Sequence, residues 1–146
     1  MLRIAGYREA LLSAGITPDP QWVHTGEPTD EKFVQSMVTG GATAVICAND
    51  LTAANLMRTL DILGCPVPQE MRVVGFDDVR YAELLRPPLT TIHQPCVDIG
   101  TIAMQVMLER IENPDLPPRD ILAQPTLIVR QSCGASGILN SPSTKN

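Results

Sequence analysis

The sequence predicts an α/β fold in which a parallel sheet is flanked by helices. Three observations carry that expectation. Two near-continuous apolar runs, Thr43 to Cys47 and Arg72 to Phe76, have the makeup of strands buried within a sheet. Between them, Ala53, Leu56, Met57, Leu60 and Leu63 recur at helical spacing. A strand, a helix of about a dozen residues and a second strand form the unit of a helix-covered parallel sheet.

The elements follow in order. Residues 4–14 read as a helix with Ile4, Tyr7, Ala10, Leu11 and Ala14 on one face and Gly15 as its stop. Arg3 then lies at the N-terminal end, where the helix dipole disfavours a cation by some tenths of a kcal/mol. Its placement serves something other than helix stability. Pro18 and Pro20 mark a turn, and Trp22-Val23-His24 reads as a short strand, with Trp22 filling the core in preference to stacking on a sugar face. Thr29 caps a helix over residues 30–39, and Gly40-Gly41 ends it. After the first buried strand, predicted to be covered on both faces, Asp50 caps the helix over residues 51–63, which Gly64 closes. Residues 79–88 form a loop or short helix, and Leu89 to His93 is extended. A helix over 97–111 has Ile99, Ile102, Ala103, Val106 and Met107 on one face. Leu122 to Arg130 reads as edge strand, because Pro125 cannot donate within a central ladder. Residues 135–146 read as a loose tail.

The counts bound the function. At 146 residues one domain is the default, able to bury roughly 70% of its unfolded surface. Aromatic residues are 3% of the chain, so the core is aliphatic. A formal charge of −5 without a Lys/Arg run suits nucleic acid poorly, since neutralising phosphates needs clustered cations. No apolar run approaches the roughly 18 residues of a membrane span. Arg8 and Glu9 interrupt the opening segment where a secretion signal is purely apolar, so the expected location is cytoplasmic. Cys47, Cys65, Cys96 and Cys133 are too scattered for a zinc site and read as reduced thiols, so no metal or cofactor is expected.

Ligands of such sheets bind at the carboxyl ends of the strands. Two of these ends carry polar side chains, Asn49-Asp50 and Asp77-Asp78. Asp77 is either an acceptor for the hydroxyls of a polyol or a loop organiser, and Asp78 is the structural member of its pair. Asn49 offers a donor and an acceptor to a cleft. Arg3 presents a donor fork for vicinal hydroxyls, or else pairs with an acid such as Glu9. His24 and His93 have no Ser/Asp arrangement near them in the sequence. Nucleophile-elbow, dinucleotide, phosphate-loop and H-E-x-x-H motifs are absent. Asp, Asn and Arg without a poised base describe binding better than turnover. A non-enzymatic binding module is therefore expected. A solute-binding component of a transporter is the first alternative and a small α/β enzyme the second.

Four segments in order carry a resemblance: Arg3-x-x-Gly6-Tyr7-x-x-Ala10-Leu11, Thr43 to Asp50, Val73 to Asp78, and Pro87-Pro88-Leu89-Thr90-Thr91-Ile92-x-Gln94. Together they resemble the effector-binding domain of LacI/GalR-type bacterial transcription regulators, over roughly residues 3–134. The resemblance implies a periplasmic-binding-protein-like fold of two α/β lobes around a ligand cleft. Residues 1–134 then form part of that domain, mostly its C-terminal lobe, and 94–113 supply a crossover and a helix that belongs with the other lobe. It implies a sugar-like or purine-like effector held by Arg3, Asn49, Asp77 and Gln94. Cys96 stands where relatives often place an aromatic neighbour of the ligand. Ala54, on the 51–63 helix, and Leu85 fall on surfaces used for dimerisation. Operator DNA, in a repressor of this kind, is contacted only through a headpiece that this chain does not contain. An unpaired apolar face on the 97–111 helix adds the expectation of a homodimer, a domain swap or aggregation.

Overall fold

The computed structural model describes residues 2–135; the predicted tail beyond Ala135 lies outside them. Helix α1 (Leu2–Ser13) comes first and gives way at Gly15, whose φ of +73° suits a residue without a Cβ. Next is a single 3₁₀ turn over Pro20–Trp22, where a strand was expected. Asp19 accepts from the Gln21 N–H and Pro20 starts the turn, so local capping outweighs the β preference of Trp22 and Val23. Trp22 is exposed, not in the core as its size suggested.

Helix α2 (Glu31–Thr39) is capped by Asp30, not Thr29: its Oδ1 accepts from Lys32 N at 2.9 Å and Phe33 N at 3.4 Å. Strand β1 (Ala44–Ile46) leads through Cys47 and Ala48 into α3 (Asp50–Ile62). The cap of α3 is Asn49, whose Oδ1 accepts from Thr52 N at 2.8 Å, and Asp50 is its first residue. Ala53, Leu56, Met57 and Leu60 of α3 are buried, as their spacing required. Strand β2 (Arg72–Val74) pairs parallel with β1, matching Ala44 to Arg72 and Ile46 to Val74.

A 3₁₀ turn over Arg80–Glu83 precedes β3 (Thr91–His93), which is joined to the first pair by parallel bridges Val74–Thr90 and Asp77–His93. Helix α4 (Cys96–Glu112) follows, and β4 (Thr126–Ile128) returns antiparallel to β3. The edge position of β4 agrees with Pro125 beside it.

The core is aliphatic. Val34 and Met37 of α2 and the buried face of α3 pack with Met71, Val73, Ala82 and Leu89. Val73 is fully enclosed, but Ile46 of β1 is 66% exposed. The expectation that β1 is covered on both faces is therefore corrected: Ala44 and Ile46 are exposed and Val45 is half-buried, and an apolar run carries no record of how many neighbours it has. Helix α4 has no buried residue, and Val97, Met104, Leu108 and Ile111 stand open. The C-terminal segment locks β2 to β3 through a buried serine. Ser132 Oγ donates to Val73 O at 2.6 Å and accepts from Thr90 N at 2.8 Å.

Candidate functional site at the strand ends

The carboxyl ends of β1 and β2 sit side by side because the two strands are parallel and in register. Beyond β1 the chain runs Cys47-Ala48-Asn49-Asp50, and beyond β2 it runs Gly75-Phe76-Asp77-Asp78. Asp50 N donates to Phe76 O at 2.9 Å, tying the two exits together.

Arg3 reaches this place from the start of α1. Its guanidinium lies 4.5 Å from the centroid of the Phe76 ring, and Nη1 donates to the Ala48 carbonyl. No described ion pair joins it to Glu9. The fork that stood at an unfavourable helix end thus rests on the exits of both strands. Phe76 was missed by sequence reasoning, and an aromatic preceding the strand-end Asp77 was the only available signal.

Asp77 and Gln94 come together: Gln94 Nε2 donates to Asp77 Oδ1 at 2.6 Å. The backbone of Asp77 is held as well, its N–H donating to Ile92 O at 2.9 Å. Asp77 has φ +116° and Asp78 φ +55°, so the turn after β2 occupies backbone space that side chains rarely adopt. Strain of this sort gathers at ligand sites and persists only where the surroundings enforce it. Asn49 stands at the head of α3 beside Ala48, half-buried, with Oδ1 committed to its cap.

Asp78 serves the scaffold. Its carboxylate meets Arg130 Nη2 at 2.8 Å and His93 Nδ1 at 3.0 Å. Arg130 Nη1 also donates to Leu89 O, so the guanidinium pins the Asp77-Asp78 turn to the strand that follows. His24 meets only the edge of Phe33, with centroids 6.3 Å apart. Neither histidine contacts a nucleophile in these hydrogen bonds.

Asp50 holds the largest surprise of the site. Read from sequence as a helix cap, it is fully buried and caps nothing. Its Oδ1 accepts from Thr91 Oγ1 at 2.6 Å and its Oδ2 from Val79 N at 2.9 Å. Burial, and then the nearby Asp50 charge, push the Cys47 thiol up to about 12, so at neutral pH it is a protonated packing group. Among the described residues no three side chains are gathered to hold a metal ion.

The arrangement is one of donors and acceptors at the ends of parallel strands. The model of the periplasmic binding protein-like domain matches residues 1–133. The chain belongs to this family. As a periplasmic binding protein-like domain it has relatives among LacI-type regulators, the group its four motifs resemble. It is 38% identical over 135 residues to the HTH-type transcriptional repressor PurR of Vibrio campbellii, and 34% identical over 135 residues to the ribose operon repressor of Haemophilus influenzae. Either alignment covers 89% of this chain, and about two fifths of the relative's length (40% and 41%). The domain also superposes on the solved complex of the transcriptional regulator CelR with cellobiose. That match has a TM-score of 0.80 and 32% identity, and it covers 89% of this chain and 41% of the other. No described helix is long and apolar enough to cross a membrane.

Proposed function

We propose that this chain forms one wall of the effector site of a cytoplasmic LacI-type transcription repressor. Arg3, Asn49, Asp77 and Gln94 contact a small, uncharged, hydroxyl-rich or purine-like effector. The observation that carries the reading is the gathering of Arg3 on Phe76 and of Gln94 on Asp77 at two adjoining strand ends. Hydrogen bonds to charged partners contribute about 1.5–3 kcal/mol each, so a few of them suit a metabolite sensor. The names of the relatives favour a sugar or a purine: a ribose operon repressor, a PurR repressor and a regulator solved with cellobiose. The relatives are named as repressors and regulators, which favours binding over catalysis.

In the whole regulator, effector binding changes operator affinity, and such coupling between sites is typically about 1–3 kcal/mol. With a formal charge of −5, this segment leaves the DNA contact to a headpiece elsewhere in the polypeptide. The test is a nuclear magnetic resonance titration of the chain with D-ribose, cellobiose and adenine. One of the three is expected to shift the amides of Arg3, Asn49, Asp77 and Gln94 together. Flat titrations with all three overturn the reading.

The same reading includes a homodimer. Ala54 is half-buried on α3, Leu85 packs partly against the core, and Leu51 and Ile62 of α3 and Leu84 beside Leu85 are exposed apolar residues. Light scattering is expected to give twice the chain mass of 15.8 kDa or more. A monodisperse monomer at high micromolar concentration counts against it.

A further inference from the structure

We propose that Asp50 and Thr91 form a buried relay that sets the orientation of the Asp77 carboxylate, making Asp50 a positioning residue for the effector site. A carboxylate removed from water must find hydrogen-bond partners, and Asp50 finds two on the loop that carries Asp77 and on the strand beside it. Oδ2 grips Val79 N, two residues after Asp77. Oδ1 accepts from Thr91 Oγ1, and the same hydroxyl accepts from Asp78 N at 3.3 Å. One acid thus holds the N–H of Val79 directly and that of Asp78 through one hydroxyl. Its own N–H holds Phe76 O on the other side of Asp77. The turn with two positive φ angles is clasped at both ends by a single residue.

The clasp is built into the strand as well. Gly75 is the only residue type that fits there, because a Cβ would overlap Asp50 Oδ1. An Asn at position 50 could not replace the acid. Its single oxygen satisfies Val79 N or Thr91, and the amide NH2 facing the other side competes with Asp78 N for the threonine oxygen. Gln94 reports the result, since its side-chain amide donates to Asp77 Oδ1.

The positioning role rests on the effector-site reading for its purpose, but its geometry is testable without ligand. The experiment compares the full chain with Thr91→Ser, Thr91→Val and Asp50→Asn by nuclear magnetic resonance. It measures hydrogen exchange of the Asp78 and Val79 amides and the resonance of the Gln94 side-chain amide. Thr91→Ser keeps the hydroxyl and is expected to match the parent chain. Thr91→Val is expected to speed exchange at Asp78 at least tenfold and to move the Gln94 resonance towards that of a free glutamine, while Leu60 and Val73 keep their protection. Asp50→Asn is expected to extend the same changes to Val79. If Asp50→Asn does not fold, Thr91→Val against Thr91→Ser decides. An unmoved Gln94 resonance in Thr91→Val, equal disturbance by Thr91→Ser, or loss of protection spread evenly over the chain overturns the relay. Failure of D-ribose, cellobiose and adenine to bind the parent chain sinks the effector reading instead and leaves these signals unchanged.

Discussion

Gly75→Ala is expected to lower the stability of the domain by at least about 2 kcal/mol. Overpacking alone costs about 1–3 kcal/mol, and stripping a hydrogen bond from a buried acid adds about 1–3 kcal/mol. Both apply here. The new methyl group would collide with Asp50 Oδ1 and approach Leu89 Cδ2 to 2.9 Å. Neither neighbour can retreat, because Asp50 is bonded to Val79 and Thr91 and Leu89 is fully buried. Against a total of about 5–15 kcal/mol for a folded domain, the loss is a large fraction. The thermal unfolding midpoint followed by circular dichroism is expected to drop by roughly 5 °C or more. Gly100→Ala is the control. It lies within α4, where an added Cβ meets nothing within 4 Å, and should be neutral or stabilising by up to about 1 kcal/mol. Equal melting temperatures for the two variants would show that the room at Gly75 is not limiting.

Asp77→Asn is expected to weaken effector binding by about 1.5–3 kcal/mol, roughly 10- to 150-fold, with the fold retained. The substitution keeps the shape of the side chain and removes its charge. Asn is also among the side chains that best tolerate a positive φ, so the value of +116° at this position is not lost for steric reasons. Gln94 can turn its amide to meet the new one, which keeps the local packing. The measurement is a titration of the parent and variant chains with whichever of ribose, cellobiose or adenine the parent binds. Equal affinities, with unchanged thermal unfolding, would remove Asp77 from the site.

Much of the fold was legible because its signals are local. The helical spacing in 51–63 places Ala53, Leu56, Met57 and Leu60 on the buried side, and the structure agrees. The strands after Thr43 and Arg72 also follow from composition. The failures share one cause. Thr29 and Asp30 are both good caps, as are Asn49 and Asp50, and propensity cannot rank neighbours within a fraction of a kcal/mol. In each pair the partner chosen depends on where the incoming chain points. Trp22 failed for a related reason: a large apolar side chain enters the core only if the core passes nearby, and here the segment turns at Pro20.

The candidate site divides in the same way. Asp77 at a strand end is visible in the linear order, and its partnership with Gln94 spans 17 positions and is not. The Thr91 bond to Asp50 crosses 41 positions, and the Arg3 bond to Ala48 crosses 45.

The sequence by itself determined the α/β alternation, the aliphatic core and the motifs shared with LacI-type regulators, because periodicity and chain order are properties of neighbouring residues. Only the tertiary structure decided that Asn49 caps, that Asp50 is buried beneath the Asp77 turn, and that Arg3 lies on Phe76. Those outcomes depend on which groups lose contact with water together, and that is set when distant segments meet.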